Sequence, residues 1–291
     1  MGNSMIIVTG ATGQLGSRIV ESLLTRVPAN RVGVSVRDPR KAQGLAERGV
    51  RVRQGSFTDQ DSLSHAFEGA GQVLIVSVDK LGTEAIRQHR AAIEGAVAAG
   101  TRRILYTSHM GAGPTSQFEP CRDHAADEEA LRACGVPFTS LRNGFYAASA
   151  MRLFGQAAET GRLVVPTDGA VSWTAHADLA DATAAILAEE ARFDGPTPPL
   201  TAAQAIDFDE VAALAAKATG RTIKRVTVSD EEFRQQMAGY GIPAAQADMM
   251  VDIFAASRAG EFATVDPTLA KLIGREPIGF DTVLREALSA S

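Results

Sequence analysis

The sequence predicts an α/β protein built on a doubly wound parallel sheet, with a smaller, mainly helical lobe at its C-terminal end. Three observations carry this. An apolar run, Ile6-Ile7-Val8-Thr9, leads straight into glycines spaced G-x-x-G-x-x-G and then into an amphipathic segment. Strand-like and helix-like segments alternate from there to about residue 143, separated by the dozen or so residues that a parallel crossover needs. Beyond 143 the alternation breaks into glycine turns and helical stretches.

The first strand is the run ending at Thr9, and the helix after the glycines covers residues 17–27. Arg31-Val32-Gly33-Val34-Ser35-Val36 reads as a second, buried strand, with Arg37-Asp38-Pro39 ending it at a helix start. Residues 50–55 form a third strand, Asp59 caps a helix that runs to Phe67, and residues 72–77 form a fourth, strongly apolar strand. A long helix over 82–99 stops at Gly100. Residues 103–108 make the fifth strand, a helix covers 123–134, and residues 137–142 make the sixth.

The irregular part contains a helical stretch, glycine turns at Gly155, Gly161 and Gly169, and a short strand at 171–174. A helix at 178–190 reads as a further cover for the sheet. Gly195-Pro196-Thr197-Pro198-Pro199 is the most linker-like stretch in the chain. After it come a helix at 208–218, a strand at 223–228, helices behind Ser229-Asp230-Glu231-Glu232, whose order fits an N-cap with an acidic first turn, and a last helix at 280–288. The division is therefore a nucleotide-binding domain over 5–143, with 171–190 returning to it, and a smaller lobe from 144–170 and 191–291.

With 291 residues, 45% of them hydrophobic and 22% charged, the chain has ordinary globular composition and enough length for a substantial core. A net charge of -5 without any Lys/Arg cluster argues against direct nucleic-acid binding. Cys121 and Cys134 lack ligand spacing, so free thiols and no metal are expected. No apolar run approaches the ~20 residues of a membrane span, and no secretory signal opens the chain; a soluble, cytoplasmic protein, monomer or homodimer, is the expectation. Met1-Gly2-Asn3-Ser4 begins like an acylation signal, but Ile6 stands where Ser or Thr is required, so these residues read as a short extension.

The chemistry starts at Gly10-Ala11-Thr12-Gly13-Gln14-Leu15-Gly16. A strand, a tight glycine turn and a helix in that order let the backbone approach a pyrophosphate, whose charge meets the free N–H groups at the helix start. This is the Rossmann-type arrangement; a turn that merely joins strand to helix is the alternative. At the end of the second strand an NAD site offers an acid to the ribose, and an NADP site offers an arginine to the 2′-phosphate. Arg37 stands there, with Asp38 placed as a helix cap, so NADP(H) is the expected cofactor unless Arg37 is an ordinary surface charge. Ser77-Val78-Asp79 and Ser108-His109-Met110 end the fourth and fifth strands, where ligands of open α/β sheets sit. His109 is a catalytic candidate on position alone, with a solvated loop residue as the alternative.

Asn143-Gly144-Phe145-Tyr146 closes the sixth strand, and an amide with two aromatics at that place can hold a nicotinamide or stack on a flat acceptor, or be a core corner. Asn143 and Tyr146 are the residues expected to position nicotinamide and acceptor. His65, His89, His124 and His176 are scattered and read as structural or surface residues, and Trp173 as packing. A missing feature narrows the reaction. Carbonyl reductases of the short-chain type use a tyrosine activated by a lysine four residues on, but the residues four beyond Tyr106, Tyr146 and Tyr240 are Met110, Ala150 and Ala244.

The chain resembles the NmrA-like atypical short-chain dehydrogenases, and within them the bacterial type 2 NAD(P)H:quinone oxidoreductases, with triphenylmethane reductase as the next most similar. The motifs are Val8 to Gly16, Val27-Pro28-Ala29, Val36-Arg37-Asp38-Pro39, Tyr106-Thr107-Ser108, Leu141-Arg142-Asn143-Gly144-Phe145-Tyr146 and Lys271-Leu272-Ile273-Gly274. The resemblance implies NADPH lying across the sheet, with residues 10–15 on the pyrophosphate, Arg37 on the 2′-phosphate, 77–79 on the adenosine-side ribose region and 143–146 on the nicotinamide half. It implies direct hydride transfer to a quinone or similar flat acceptor, for which no Tyr-Lys pair is needed. Dye reduction, or a cofactor-sensing regulator without turnover, are the alternatives in the same group. Two departures stand out: Ser56-Phe57 follows the third strand where similar enzymes carry Asp near the adenine, and the helix of Asp127-Glu128-Glu129 has no lysine to take over as a catalytic one.

From the arginine reading, Arg37→Ala should weaken NADPH binding by about 1.5–3 kcal/mol, the worth of one charge-assisted contact, and leave NADH nearly untouched. Titration of both cofactors measures this, and an equal loss for the two would remove the basis for the preference.

Overall fold

Successive residues of a strand face opposite sides, so an unbroken apolar run such as Ile6-Ile7-Val8 is buried only in a sheet covered on both faces. The computed structural model describes residues 4–289; Met1 to Asn3, the bulk of the expected extension with its acylation-like start, lie outside the described residues. In it β1 (Met5–Thr9) sits near the centre of a seven-stranded sheet. The chain continues through α1 (Gln14–Leu24), β2 (Val32–Val36), α2 (Gln43–Glu47), β3 (Arg51–Gln54), α3 (Gln60–Phe67), β4 (Ala70–Ile75) and α4 (Gly82–Ala98). It then forms β5 (Arg103–His109), α5 (Glu119–Ala133), β6 (Phe138–Asn143), α6 (Ala147–Phe154), α7 (Ala157–Thr160), β7 (Arg162–Pro166), α8 (His176–Ala188) and β8 (Gly195–Pro196). The last part holds α9 (Phe208–Thr219), β9 (Lys224–Val228), α10 (Asp230–Gly239), α11 (Ala244–Arg258), α12 (Thr268–Ile273) and α13 (Phe280–Ser289).

All strands of the large sheet are parallel, in the order β3-β2-β1-β4-β5-β6-β8. The chain reverses its direction of travel between β1 and β4, which opens a crevice beyond their C-terminal ends. Ile6, Val8, Leu74, Leu105 and Leu141 face α1, α8 and α12, where Leu15, Ile19, Leu23, Leu179 and Leu269 complete one core. Ile7, Val73, Ile75, Ile104 and Tyr106 face α3, α4 and α5, which supply Leu63, Phe67, Ile93 and Leu131. A third core lies in the remaining helices and the β7–β9 pair, around Trp173, Phe208, Phe233, Phe254 and Phe262.

Two expectations are corrected. The Gly-Pro run at 195–199 is no linker: β8 pairs with β6, Gly195 against Thr139 and Pro196 against Ser140, and Leu200 N–H still bonds to Arg142 C=O at 2.9 Å. Proline fits because the strand is an edge, where its missing N–H interrupts no ladder. The short strand expected at 171–174 makes only single bridges, Val171 with Ile206 and Thr174 with Tyr146. The strand of this region is β7, launched where Gly161 ends α7 in a left-handed conformation and paired in parallel with β9. Smaller shifts have local causes. Helix α1 starts at Gln14, with Gly13 as its cap, and α5 starts at Glu119 because Pro120 suits a first helical turn. Asp59 and Ser229 cap α3 and α10 as expected.

Helix α5 turns acids inwards. Glu128, 1% exposed, accepts hydrogen bonds from Ser108 Oγ and Ser140 Oγ, each at 2.9 Å, and from Arg142 Nε and Nη2 at 3.1 and 2.7 Å. One carboxylate therefore ties the ends of β5 and β6 to a helix. Removing it leaves a guanidinium and two hydroxyls without their acceptor, so Glu128→Ala should lower the unfolding free energy by about 3–5 kcal/mol. Urea denaturation reads this directly, and a loss under about 1 kcal/mol would mean that the ends are held by packing instead.

Candidate active site

The glycine turn shows a separate physical reason at each of its three positions. Gly10 has φ +62°, a conformation that side chains resist. A Cβ on Gly16 would lie 2.2 Å from Gly10 C=O, so only glycine lets α1 start this close to β1. Gly13 meets nothing but Gly10 C=O at 3.3 Å, and its outer side is open. Gly13 also caps α1 without any side-chain hydrogen bond, and no acid lies in the first turn. The N–H groups there are free to take an anion, which is the arrangement a pyrophosphate needs.

Beside the turn lies a groove of about 290 Å³ lined by Ala11, Thr12, Ser17, Glu21, Lys41 and Leu45. Arg37 follows β2 directly and is exposed, with no ion pair or hydrogen bond among the described residues. Asp38 is occupied as the cap of the next turn, accepting Arg40 N–H at 3.1 Å and Arg40 Nε at 2.9 Å. Lys41 went unread in the sequence. Its signal was there: a second basic residue one helical turn beyond Arg37, in a turn started by Pro39. Ser56, where an acid was missing, bonds locally to Thr58 Oγ1 and, through its N–H, to Ser62 Oγ.

At the end of β4 the chain leaves the ladder, and each N–H freed there is taken by a side chain. Val76 N–H donates to Thr9 Oγ1 at 2.9 Å, Ser77 N–H to Thr107 Oγ1 at 2.8 Å, and Val78 N–H to His89 Nε2 at 2.9 Å. Since Nε2 of His89 accepts, its Nδ1 carries the proton and donates to Asp127 Oδ2 at 2.7 Å. Tyr106 Oη donates to the same oxygen at 2.7 Å and lies 2.7 Å from His124 Nδ1. Asp123 Oδ2 accepts Gly82 N–H at 2.7 Å. The loop of Ser77, Val78 and the exposed Asp79 is thus held from below by α4, β5 and α5. His89 and His124, expected to be scattered, belong to one buried network.

Asn143, Gly144, Phe145 and Tyr146 stay together in the chain but divide in space. Phe145 faces the C-terminal lobe, with ring centres 5.0 Å from His109, 5.0 Å from Phe262 and 5.2 Å from Trp173. Tyr146 turns the other way and stacks on His176 at 4.3 Å. Gly144 is obligatory, because a Cβ would lie 2.2 Å from Thr174 Oγ1. Asn143 is 1% exposed and its amide lies beside the Tyr146 hydroxyl, where it opposes the rise that burial gives the phenol, yet neither Oδ1 nor Nδ2 reaches full hydrogen-bonding geometry with a partner. A buried amide left so costs about 1–3 kcal/mol per group, which a ligand's carboxamide can relieve. Asn143 pairs in register with His109 on β5, whose Nε2 is likewise buried without a partner. Trp173 is packing, as expected, at 1% exposed.

Burial sets the protonation states. It pushes His109 down to about 4, and lowers His124 well below the usual histidine value with help from the neighbouring His109 and His89. It pushes the Cys121 thiol up to about 12 and raises the phenols of Tyr106 and Tyr146. His176 falls to about 4, by burial first and then by Arg18 and Arg152. No buried tyrosine here is prepared as a proton donor: Tyr106 is committed to Asp127, and the rise of both phenols means that no cation activates them. Among the described residues no group of acids, histidines and cysteines could hold a metal ion, and no helix is long and apolar enough to cross a membrane.

A doubly wound sheet with an open phosphate cradle at its switch point defines a nucleotide-binding protein of the Rossmann class. Residues 2–276 match the model of the NmrA-like family, and the chain belongs to that family. It is 35% identical over 286 residues to Quinone oxidoreductase 2 of Escherichia coli (strain K12), with 98% of both chains covered. The crystal structure of an NADPH-dependent quinone oxidoreductase from Escherichia coli complexed with NADPH superposes with a TM-score of 0.92 at 33% identity, covering 98% of this chain and 100% of that one. The triphenylmethane reductase of Citrobacter sp. complexed with NADP(H) does so with a TM-score of 0.90 at 32% identity, covering 97% and 99%.

The depressed histidines make stability depend on pH. Between 6.5 and about 4 the unfolded chain takes up protons that folded His109 and His176 refuse, so stability present above 6.5 is lost as pH falls through that window. Each should contribute about 2 kcal/mol by pH 4. Urea denaturation from pH 7 to 4 should show the decline, and His176→Phe should flatten it; an unchanged slope in the variant would show that His176 is protonated in the folded state.

Proposed function

We propose that this chain is an NADPH-dependent oxidoreductase that passes hydride directly to a quinone or a similar flat conjugated acceptor. The observation that carries the reading is a pair of unsatisfied polar surfaces at the sheet's C-terminal ends. One is the open turn from Gly10 to Gly16, with Arg37 and Lys41 beside it. The other is the Asn143 amide, buried at the end of β6 beside the Tyr146 hydroxyl with neither Oδ1 nor Nδ2 at hydrogen-bonding geometry.

When bound, the nicotinamide supplies the hydride. The chain's residues do the rest by holding and excluding. Gly10, Ala11, Thr12, Gly13, Gln14, Leu15 and Gly16 would offer the pyrophosphate space and the free N–H groups at the start of α1, the N–H of Gly13 itself being spent on Gly10 C=O at 2.9 Å. Arg37 meets the 2′-phosphate, with Lys41 adding charge, and Ser77, Val78 and Asp79 border the ribose. Asn143 would hold the nicotinamide carboxamide, with Gly144 letting the chain turn tightly there and Phe145 and Tyr146 packing on either side of the strand end. Phe118, Phe145 and Phe262 keep water away from the face where an acceptor stacks. The lack of a tyrosine proton donor supports an acceptor whose reduced form takes its protons from water. The relatives support the same reading, since Quinone oxidoreductase 2 is named for quinone reduction and the solved quinone oxidoreductase holds NADPH. Dye reduction is supported by the similarity to triphenylmethane reductase.

Purified protein mixed with NADPH and 1,4-benzoquinone should oxidise the cofactor catalytically, followed by its absorbance, and NADPH should exceed NADH in kcat/KM by at least about tenfold, as one lost charged contact implies. Binding of NADPH without turnover of quinones, triphenylmethane dyes, nitroaromatics or carbonyls would replace this reading with a cofactor-sensing one.

A further inference from the structure

The imidazole of His109 is held in one tautomer. Its Nδ1 receives Gly111 N–H at 3.1 Å and lies 3.2 Å from Cys121 Sγ. A backbone amide can only donate. The thiol, pushed up to about 12, keeps its proton and can donate as well. Nδ1 is therefore an acceptor, and the ring's single proton sits on Nε2. At neutral pH the ring is uncharged, because burial lowers it to about 4. The result is a neutral N–H donor with fixed direction, closed from solvent and, among the described residues, without an acceptor.

Its position gives that donor a use. His109 is the last residue of β5 and the in-register neighbour of Asn143 on β6. Around it stand Phe145, Phe262 and Phe118, with ring centres at 5.0, 5.3 and 6.1 Å. These rings are themselves at most 6% exposed and close the imidazole in on its apolar side. A buried donor without a partner is a standing cost in the free protein, and an acceptor oxygen brought against Nε2 removes it. A neutral imidazole also has a suitable donor strength, since it polarises a carbonyl without surrendering a proton and is not consumed in each turnover.

We propose that His109 is a catalytic residue whose Nε2–H hydrogen-bonds the carbonyl oxygen of a quinone-type acceptor and stabilises the negative charge that develops there. This rests on the hydride-transfer reading above and names its acceptor class as one with an oxygen at the reducing end. The balance is simple. The nicotinamide C–H bond would break with its electron pair, the hydrogen bonding to one carbonyl oxygen of the quinone while the ring π system shifts to its aromatic form and the pair comes to rest on the opposite oxygen, beside Nε2–H. That oxygen takes its proton from water, giving hydroquinone and oxidised cofactor.

The test compares two acceptors that differ in where charge goes. 1,4-Benzoquinone gathers it on oxygen, whereas malachite green, a triphenylmethane cation, takes hydride on carbon and develops no oxyanion. His109→Phe keeps the ring and loses the donor; His109→Gln restores an N–H near the same place. With NADPH, His109→Phe should lower kcat for the quinone about 100-fold, the usual effect of deleting one oxyanion donor, and change dye reduction by less than about threefold. His109→Gln should recover about tenfold of the quinone loss. NADPH affinity, measured by titration without acceptor, should stay within about twofold in both variants, well under the effect of one lost contact. Imidazole ¹⁵N spectra should show the Nε2–H tautomer at pH 7 in the free protein. An equal loss with both acceptors, no loss with either, or an Nδ1–H tautomer would overturn the proposal. Wild-type protein that reduces the dye but not the quinone would overturn it while leaving hydride transfer standing, and protein that binds NADPH but reduces neither would take down both.

Discussion

The constraint on which the site depends is the burial of carboxylates on α5. Asp127 is fully buried and Glu128 nearly so, and Asp123 is 8% exposed. Charges or carboxyl groups are tolerated at such depth only when donors surround them. The donors come from the strand ends: Tyr106 and Ser108 on β5, Ser140 and Arg142 on β6, and, through His89 and Gly82, the segment after β4. Because hydrogen bonds to a buried acid are directional, the donors that meet Asp123, Asp127 through Oδ2 alone, and Glu128 fix three strand ends relative to one another. The crevice floor is rigid for that reason.

Above that floor the polar groups are left open. The Gly13 turn caps its helix with no side chain, Arg37 has no counter-ion among the described residues, and Asn143 and His109 have amide and imidazole atoms without partners. Other buried polar atoms among the described residues also lack a partner, Asp127 Oδ1 and Trp173 Nε1 among them, so what sets Asn143 and His109 apart is their place, in register at the ends of β6 and β5. The same molecule satisfies the N–H groups of Val76, Ser77 and Val78 one by one a few residues away.

The aromatic wall joins the two regions. Phe118, Phe145, Trp173 and Phe262 belong to the core of the C-terminal lobe, yet Phe145 follows β6 by two residues and meets His109 of β5. Ser172 N–H bonds to Phe262 C=O and Thr174 N–H to Phe145 C=O, so the lobe is stitched to the strand end by backbone as well as by rings. A change in lobe packing would therefore be felt at His109 and the end of β6 before it was felt at the glycine turn after β1.

Local patterns settled much by themselves. Apolar runs with glycine, proline and cap residues between them located β1 to β6 and their helices, since each signal lies within a few residues of the element it defines. The phosphate turn was legible for the same reason: Gly10, Gly13 and Gly16 act within a single turn and the helix start behind it. Asp38 as a cap and the missing Tyr-Lys pair were equally local. What sequence could not supply were pairings between distant segments. Gly195-Pro196 has the composition of a loop and becomes a strand only because β6 offers it an edge. His89 and His124 looked scattered because they lie on different helices, α4 and α5, and are united only where Tyr106 of β5 meets Asp127 of α5. The tautomer of His109 depends on Gly111 and on Cys121, one a neighbour and the other brought back by a helix start. Backbone preference is written along the chain, whereas hydrogen-bond partnership in a buried network is decided by which side chains tertiary packing brings within about 3 Å of each other.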